Sequence, residues 1–212
     1  MLLVIDSATA ACSVALLDAD GDVLSAAHEI VGRGHAERLL PMIETVLAGR
    51  RPEAILVDCG PGSFTGLRVG LAAARGLAIG WNVPVSGYSS MALIAAASGA
   101  SEATVALLGG HGELFVQDYA GDPIAPLDEL SSLPPEAAAA AGGAALVLGS
   151  GARSLVEARG HGEWRDSLPV AAEAWLLPPA LRQLPPRPIY GRGPDAKPVQ
   201  SDAAGGVEGP MT

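Results

Sequence analysis

One stretch, residues 54–80 (AILVDCGPGSFTGLRVGLAAARGLAIG), constrains the fold more than any other part of the chain. An apolar strand over 54–58 runs into a turn built on Gly60, Pro61 and Gly62. A helix follows over 65–80, with Ser63 or Thr65 as its N-cap. Along it Gly66, Gly70, Ala74 and Ala78 recur at every fourth position. Such a stripe of very small side chains lets another backbone approach closely. Two readings of the turn stay open. Strand, glycine-rich turn and helix can present backbone N–H groups and a helix dipole to an anion. The same residues can equally make a tight turn before a helix that must pack close. The spacing Gly60-x-Gly62-x-x-x-Gly66 is one residue longer than the dinucleotide fingerprint, and no Gly-Lys-Ser/Thr follows. Lys197 is the sole lysine, so neither a Walker-type nor a Schiff-base lysine stands before the C-terminal tail.

The flanks complete a pattern. Strands read over 2–5, 12–17 and 22–30 with a turn at 18–22, predicting an antiparallel meander. A helix over 35–48 carries Leu39, Ile43, Val46 and Leu47 on one face, and Pro41 is expected to kink it. A strand over 83–86 and a helix from about 89 to 97 follow. The order β-β-β-α-β-α-β-α predicts an α/β fold with a mixed sheet flanked by helices, the ribonuclease H-like arrangement.

The second half is less regular. It reads as a hairpin over 104–119 turning at 109–112, a helix over 134–141, a strand over 145–149 and a proline-punctuated region over 168–190. The predicted organisation is a lobe over 1–99, a smaller lobe over 100–199 and a frayed tail over 200–212.

Composition narrows the function. The chain has 212 residues, 49% hydrophobic and only 4% aromatic, so its core is built from small aliphatic side chains. A net charge of −10 argues against a protein that grips nucleic acid by itself. Cys12 and Cys59 form no paired motif and fit a reducing cytoplasm. The opening residues lack a basic signal-peptide region. The most apolar run, 91–108, is interrupted by Ser98, Gly99, Ser101 and Glu102, so no membrane span is expected.

Four segments in order carry a family resemblance: VIDSATAACSVALLD, GHAERLLPMIETVL, GPGSFTGLRVGLAAARGLA and RPIYGRGPDAK. Together they resemble the TsaB (YeaZ) family, over 1–98 and again over 185–198. The resemblance implies an actin-like (ASKHA) ATPase fold of two ribonuclease H-like lobes. It implies a subunit that supports the catalytic TsaD in forming N6-threonylcarbamoyladenosine beside the tRNA anticodon. In that superfamily the first hairpin, here Asp6, Ser7, Thr9 and Ser13, approaches nucleotide phosphate. With Gly60, Gly62 and Ser63 it forms the candidate nucleotide-proximal group, although Asp6 and Thr9 can equally just satisfy the hairpin turn.

The resemblance also implies what is missing. The catalytic relative holds a metal with two histidines four residues apart. The matching segment here, 83–96, has Ser90 and Ile94 at those places, and His28, His35, His111 and His161 show no such spacing. No metal, no catalytic residue and no cofactor bound for catalysis are therefore expected, though ATP or ADP at a subunit boundary fits the resemblance. The implied partner surface lies on the helices over 35–48 and 65–80. It comprises Leu39, Leu40, Ile43 and Leu47, close approach at Gly66, Gly70 and Ala74, and a polar rim of His35, Glu37, Arg38 and Arg75. The alternative is that these faces serve the chain's own core. The resemblance adds the ATPase TsaE as a partner, tRNA contact only through the complex, and a homodimer in isolation. Gly191 stands where the family usually has leucine. The competing reading is an autonomous ATPase or small-molecule kinase using Asp6 and the glycine loop.

Overall fold

A computed structural model describes residues 1–190. The expectations for Gly191, Lys197 and the tail over 200–212 lie outside the described residues. The chain forms two sheets. The first contains β1 (Leu2–Asp6), β2 (Ala11–Leu17), β3 (Val23–Ile30), β4 (Ala54–Asp58) and β5 (Val85–Tyr88), in the order β3-β2-β1-β4-β5. The first three strands are antiparallel, and β1, β4 and β5 run parallel. Helices α1 (His35–Leu47), α2 (Phe64–Trp81) and α3 (Ser90–Ala97) make the connections.

The second sheet repeats part of this plan. Strands β6 (Glu102–Leu108), β7 (Leu114–Ala120), β8 (Ala125–Pro126), β9 (Ser131–Leu133), β10 (Leu146–Leu148) and β11 (Glu163–Arg165) are accompanied by α4 (Pro135–Ala141) and α5 (Ala152–Arg159). β6 pairs antiparallel with β7 and parallel with β10, as β1 pairs with β2 and β4. Both lobes thus have the expected ribonuclease H-like mixed sheet.

Strand alternation divides the first lobe into two layers. Leu3, Ile5, Val14, Leu16, Ile55 and Val57 face α1 and α2. Val4, Ala15, Leu17 and Leu56 face the other way, toward α3. That helix is buried from Ser90 to Ala95 and also meets Ala103, Val105 and Leu107 of the second sheet. One core therefore joins the two lobes, with α3 between the sheets.

The small-residue stripe is what seats α2. A side chain at Gly66 would begin 2.1 Å from the Ser7 carbonyl oxygen, and one at Gly70 would begin 2.4 Å from Ser7 Oγ. Ser7 Oγ donates to the Gly66 carbonyl at 2.9 Å. The close approach read from the sequence is therefore made to the chain's own strand.

The structure settles or shifts several local details. Ser63, not Thr65, caps α2, its Oγ accepting from the Gly66 amide at 3.3 Å. Strand β5 starts two residues late because the Val83 amide closes the end of α2 on the Ala78 carbonyl and Pro84 has no N–H to give. Helix α1 continues through Pro41, which lies on its exposed side, where water can take the carbonyl that loses its partner. The region over 171–190 also contacts the first sheet. It makes 3-10 turns at Ala171–Leu176 and Pro179–Arg182 and returns to the first sheet. There Ala171 donates to Ser13 Oγ at 2.9 Å, Leu184 and Gly87 exchange hydrogen bonds, and Ile189 donates to the Cys59 carbonyl. Proline removed the periodicity that would have announced these contacts. α5 was likewise missed, being short and ending at Gly160.

Gly66→Ala should destabilise the fold by about 3 kcal/mol, because a methyl group would strike backbone. Gly76→Ala, where a Cβ meets open space, should stabilise by about 0.5–1 kcal/mol. Urea unfolding of the two variants checks both signs.

Candidate functional site

The glycine turn and the first hairpin are stapled together. Ser63 N donates to the Ala8 carbonyl at 2.6 Å, and a side chain at Gly62 would start 2.0 Å from that same oxygen. Gly60 has φ +94, open to glycine, and its amide donates to Asp58 Oδ1 at 2.7 Å. Thr9 Oγ1 accepts from the Ala11 amide. These hydroxyl and amide groups are thus largely consumed in holding the turns.

Asp6 lies beneath the staple, fully buried, with Tyr88 Oη donating to its Oδ2 at 2.8 Å. Asp58, at the end of the neighbouring strand, is buried beside it. Asp6 Oδ1 and Asp58 Oδ2 have no hydrogen-bond partner among the described residues. Burial, and then the Asp58 charge, push Asp6 well above the usual carboxylate range. Burial raises Asp58 to about 7. Two desolvated carboxyls that repel each other favour the state in which one of them is protonated. Asp6 and Gly60 are therefore part of the packed interior rather than open toward a phosphate; Thr9, Gly62 and Ser63 do reach a surface.

That surface is a cleft of about 1090 Å³ between the lobes. Its walls include Leu67, Leu107, Leu108 and Phe115, with Phe64 and Tyr190 at 6.1 Å between ring centroids. Arg68 lies over the Phe64 ring at 3.5 Å. Phe64, Arg68 and Tyr190 were not singled out from the sequence, since nothing in their spacing links 64 to 190. At the positions matching the metal motif, Ser90 donates to the Pro61 carbonyl at 3.2 Å and Ile94 is core. Among the described residues no three histidine, cysteine, aspartate or glutamate side chains form a metal-binding group. The buried thiols of Cys12 and Cys59 are raised by burial to about 11 and about 12, away from nucleophilic chemistry.

The expected partner surface needs the largest correction. Leu39, Ile43 and Leu47 are buried against the chain's own sheet, as are Gly66, Gly70 and Ala74. His35 is also inside, its Nε2 at 3.2 Å from the Ala11 carbonyl. An amphipathic helix first satisfies the nearest sheet, and these six apolar and small residues form the face that does so. Leu40 remains exposed, with Glu37, Arg38 and Arg75. Arg38 forms a fork to Glu29 at 2.6–2.9 Å, and Arg75 donates to the Pro186 carbonyl at 2.6 Å. The outward side of α2 carries Ala72, Gly76, Ile79 and Gly80 instead. Ile79 is 82% exposed and Leu40 of α1 54%. A Cβ built at Gly76 or Gly80 meets nothing within 4 Å. The signal was present in the sequence as a second small-residue row, Ala72, Gly76 and Gly80, two residues on from the first and so on the opposite side of the helix.

The fold and this site describe a two-lobed ribonuclease H-like protein whose glycine loop is packed against the first hairpin and whose outer helices carry exposed apolar residues. Comparison with known proteins gives the family. The family model for the tRNA N6-adenosine threonylcarbamoyltransferase TsaD matches residues 27–125. The tRNA threonylcarbamoyladenosine biosynthesis protein TsaB of Escherichia coli is 38% identical over 130 residues, covering 57% of this chain and 55% of that protein. An uncharacterized protein of Mycobacterium tuberculosis is 32% identical over 211 residues, covering 93% of this chain and 94% of its own. The solved YeaZ structure from Pseudomonas aeruginosa superimposes with a TM-score of 0.73 at 32% identity, covering 83% of this chain and 89% of that one. The chain belongs to the TsaB (YeaZ) family. Its matches span about half the length of the curated TsaB proteins, 55% for E. coli and 42% for Haemophilus influenzae.

The carboxyl pair makes a pH prediction. A folded-state value raised to about 7 from 3.8 means the folded chain holds its proton more tightly than the unfolded one. Stability is then fullest below about pH 4 as far as this pair is concerned, and falls as pH rises through 7. Asp58→Asn should flatten that fall, by a few kcal/mol between pH 5 and 8. Urea unfolding across this range measures it; an unchanged slope would contradict the pairing.

Proposed function

We propose that this chain is a non-catalytic subunit that binds and supports a TsaD-type catalytic subunit in forming threonylcarbamoyladenosine in tRNA. The observation that carries this reading is the outward face of α1 and α2, where Leu40 and Ile79 stand exposed beside the open row of Ala72, Gly76 and Gly80. Exposed small residues on one helix, with exposed aliphatic side chains on that helix and its neighbour, suit the packing of a second helix. Its position differs from the first expectation by one helical face. Membership of the TsaB family supports the assignment, as do the pathway names of its relatives.

The reading includes a TsaE-type ATPase as a further partner, ATP or ADP at a subunit boundary, tRNA reached only through the complex, and action in the cytoplasm. No described helix is long and apolar enough to cross a membrane. The net charge of −10 agrees with leaving the tRNA grip to another subunit. The staple between Ser63 and Ala8 disfavours an autonomous ATPase or small-molecule kinase, because it fills the gap between hairpin and glycine loop where a phosphate would lie.

The test is a reconstituted mixture of catalytic subunit, TsaE, threonylcarbamoyl-adenylate synthase, ATP and tRNA. Modification should require this protein. Gly76→Arg and Ile79→Arg should keep native circular dichroism yet weaken the heterodimer on gel filtration at least about tenfold. An undiminished complex would sink the assigned face. Metal-dependent ATP turnover by the purified chain, lost in Asp6→Ala, would favour the kinase reading.

A further inference from the structure

The interlobe cleft is not used by the heterodimer proposed above. Its volume of about 1090 Å³ is ample for a drug-sized molecule. The walls are chiefly apolar, with Phe64, Leu67, Leu107, Leu108, Phe115 and Ile189 contributing from both lobes. Phe64 and Leu108 remain 54% and 59% exposed. Water in such a cleft lies against hydrocarbon, and an apolar molecule entering it would release that water.

The neutral polar groups of the wall are already engaged. Thr9 Oγ1 accepts from the Ala11 amide, Ser63 Oγ from Gly66 and Ser150 Oγ from Leu108. Ser132 Oγ donates to Glu113 Oε2 at 2.7 Å. Arg68 is different. Its guanidinium lies 3.5 Å over the Phe64 ring, and among the described residues it has no carboxylate partner. A contact that short is made face to face and uses none of the five N–H donors. Arg68 is the one lysine or arginine among the described lining residues, and Glu113 lines the same cleft. One guanidinium set against one carboxylate admits a ligand with a single negative charge and disfavours a polyanion.

We propose that the cleft binds an apolar monocarboxylate, a molecule of the fatty-acid class. Its carboxylate takes a bidentate pair of hydrogen bonds from Arg68. Its chain lies against Leu67, Leu107, Leu108 and Phe115, which line the cleft. The unused donors of Arg68 and the aliphatic wall together select this chemistry. A neutral lipid would leave those donors unspent. A nucleotide would bring several negative charges into a cleft that already holds Glu113, and the Ser63–Ala8 hydrogen bond occupies the gap its phosphates would need. The site stands on the cleft alone and does not need the outer face of α1 and α2, so it goes beyond the subunit role.

Titration calorimetry of the full chain with hexanoate, octanoate and decanoate should show one saturable site, with affinity rising about threefold per added CH₂. Decanol, with the same chain and no charge, should bind at least about tenfold more weakly than decanoate. Arg68→Gln should abolish that preference, lowering decanoate affinity about tenfold and leaving decanol unchanged. Leu108→Glu should weaken both ligands. Leu127→Glu, at an exposed leucine that does not line the cleft, should weaken neither. All three side chains are exposed, so circular dichroism should stay native. No saturable binding of decanoate up to about 1 mM would overturn the proposal. So would equal binding of decanol and decanoate, or decanoate binding indifferent to both Arg68→Gln and Leu108→Glu.

Discussion

The approach of α2 to β1 is the contact on which the rest of the molecule depends. Ser7 reaches the Gly66 carbonyl, and at Gly66 and Gly70 there is room only for hydrogen. With the helix drawn this close, its first turn brings Ser63 under the Ala8 carbonyl and closes the glycine loop on the hairpin. The same approach buries Leu67, Leu71, Ala74 and Ala78 against the sheet. It leaves the opposite side of the helix, from Ala72 to Gly80, facing outward. Loop closure and the exposed face are thus two consequences of one packing distance.

The second constraint is the shared core. Helix α3 is apolar on every side because it is covered from both sheets, so the lobes do not bury separate interiors. The segment over 171–190 adds a strap from the second lobe back to the first. Ala171 and Ala174 lie against the inner face of the sheet, and Ile189 lies beside the glycine loop. The interlobe cleft is consequently walled by distant parts of the chain, among them the hairpin, the start of α2, the β6–β7 turn and residues 189–190.

Much of the first half was legible because its periods are clean. LLVID, CSVALL and AILVD read as strands, and the helices over 35–48 and 65–80 are found within a residue at each end. Where proline and alanine dominate, as over 134–190, the pattern weakens; α5 and the strap were not read. The candidate site was legible as two helices and a loop, but not in orientation. Leu39, Ile43 and the Gly66 row were read as facing a partner and face the sheet. Helical spacing identifies residues that share a face without saying which of two faces meets the sheet.

The order of elements over the first 97 residues, the glycine turn, the small-residue helix, the sole lysine and the missing histidine pair were all determined by sequence alone, since each rests on local spacing or on residue identity. Tertiary structure decided the rest. It set which glycine row touches Ser7 and which stays open, paired Asp6 with Asp58 and Tyr88, closed one sheet edge and left the other. These are relations between residues tens of positions apart, created when the chain packs, and no local period encodes them.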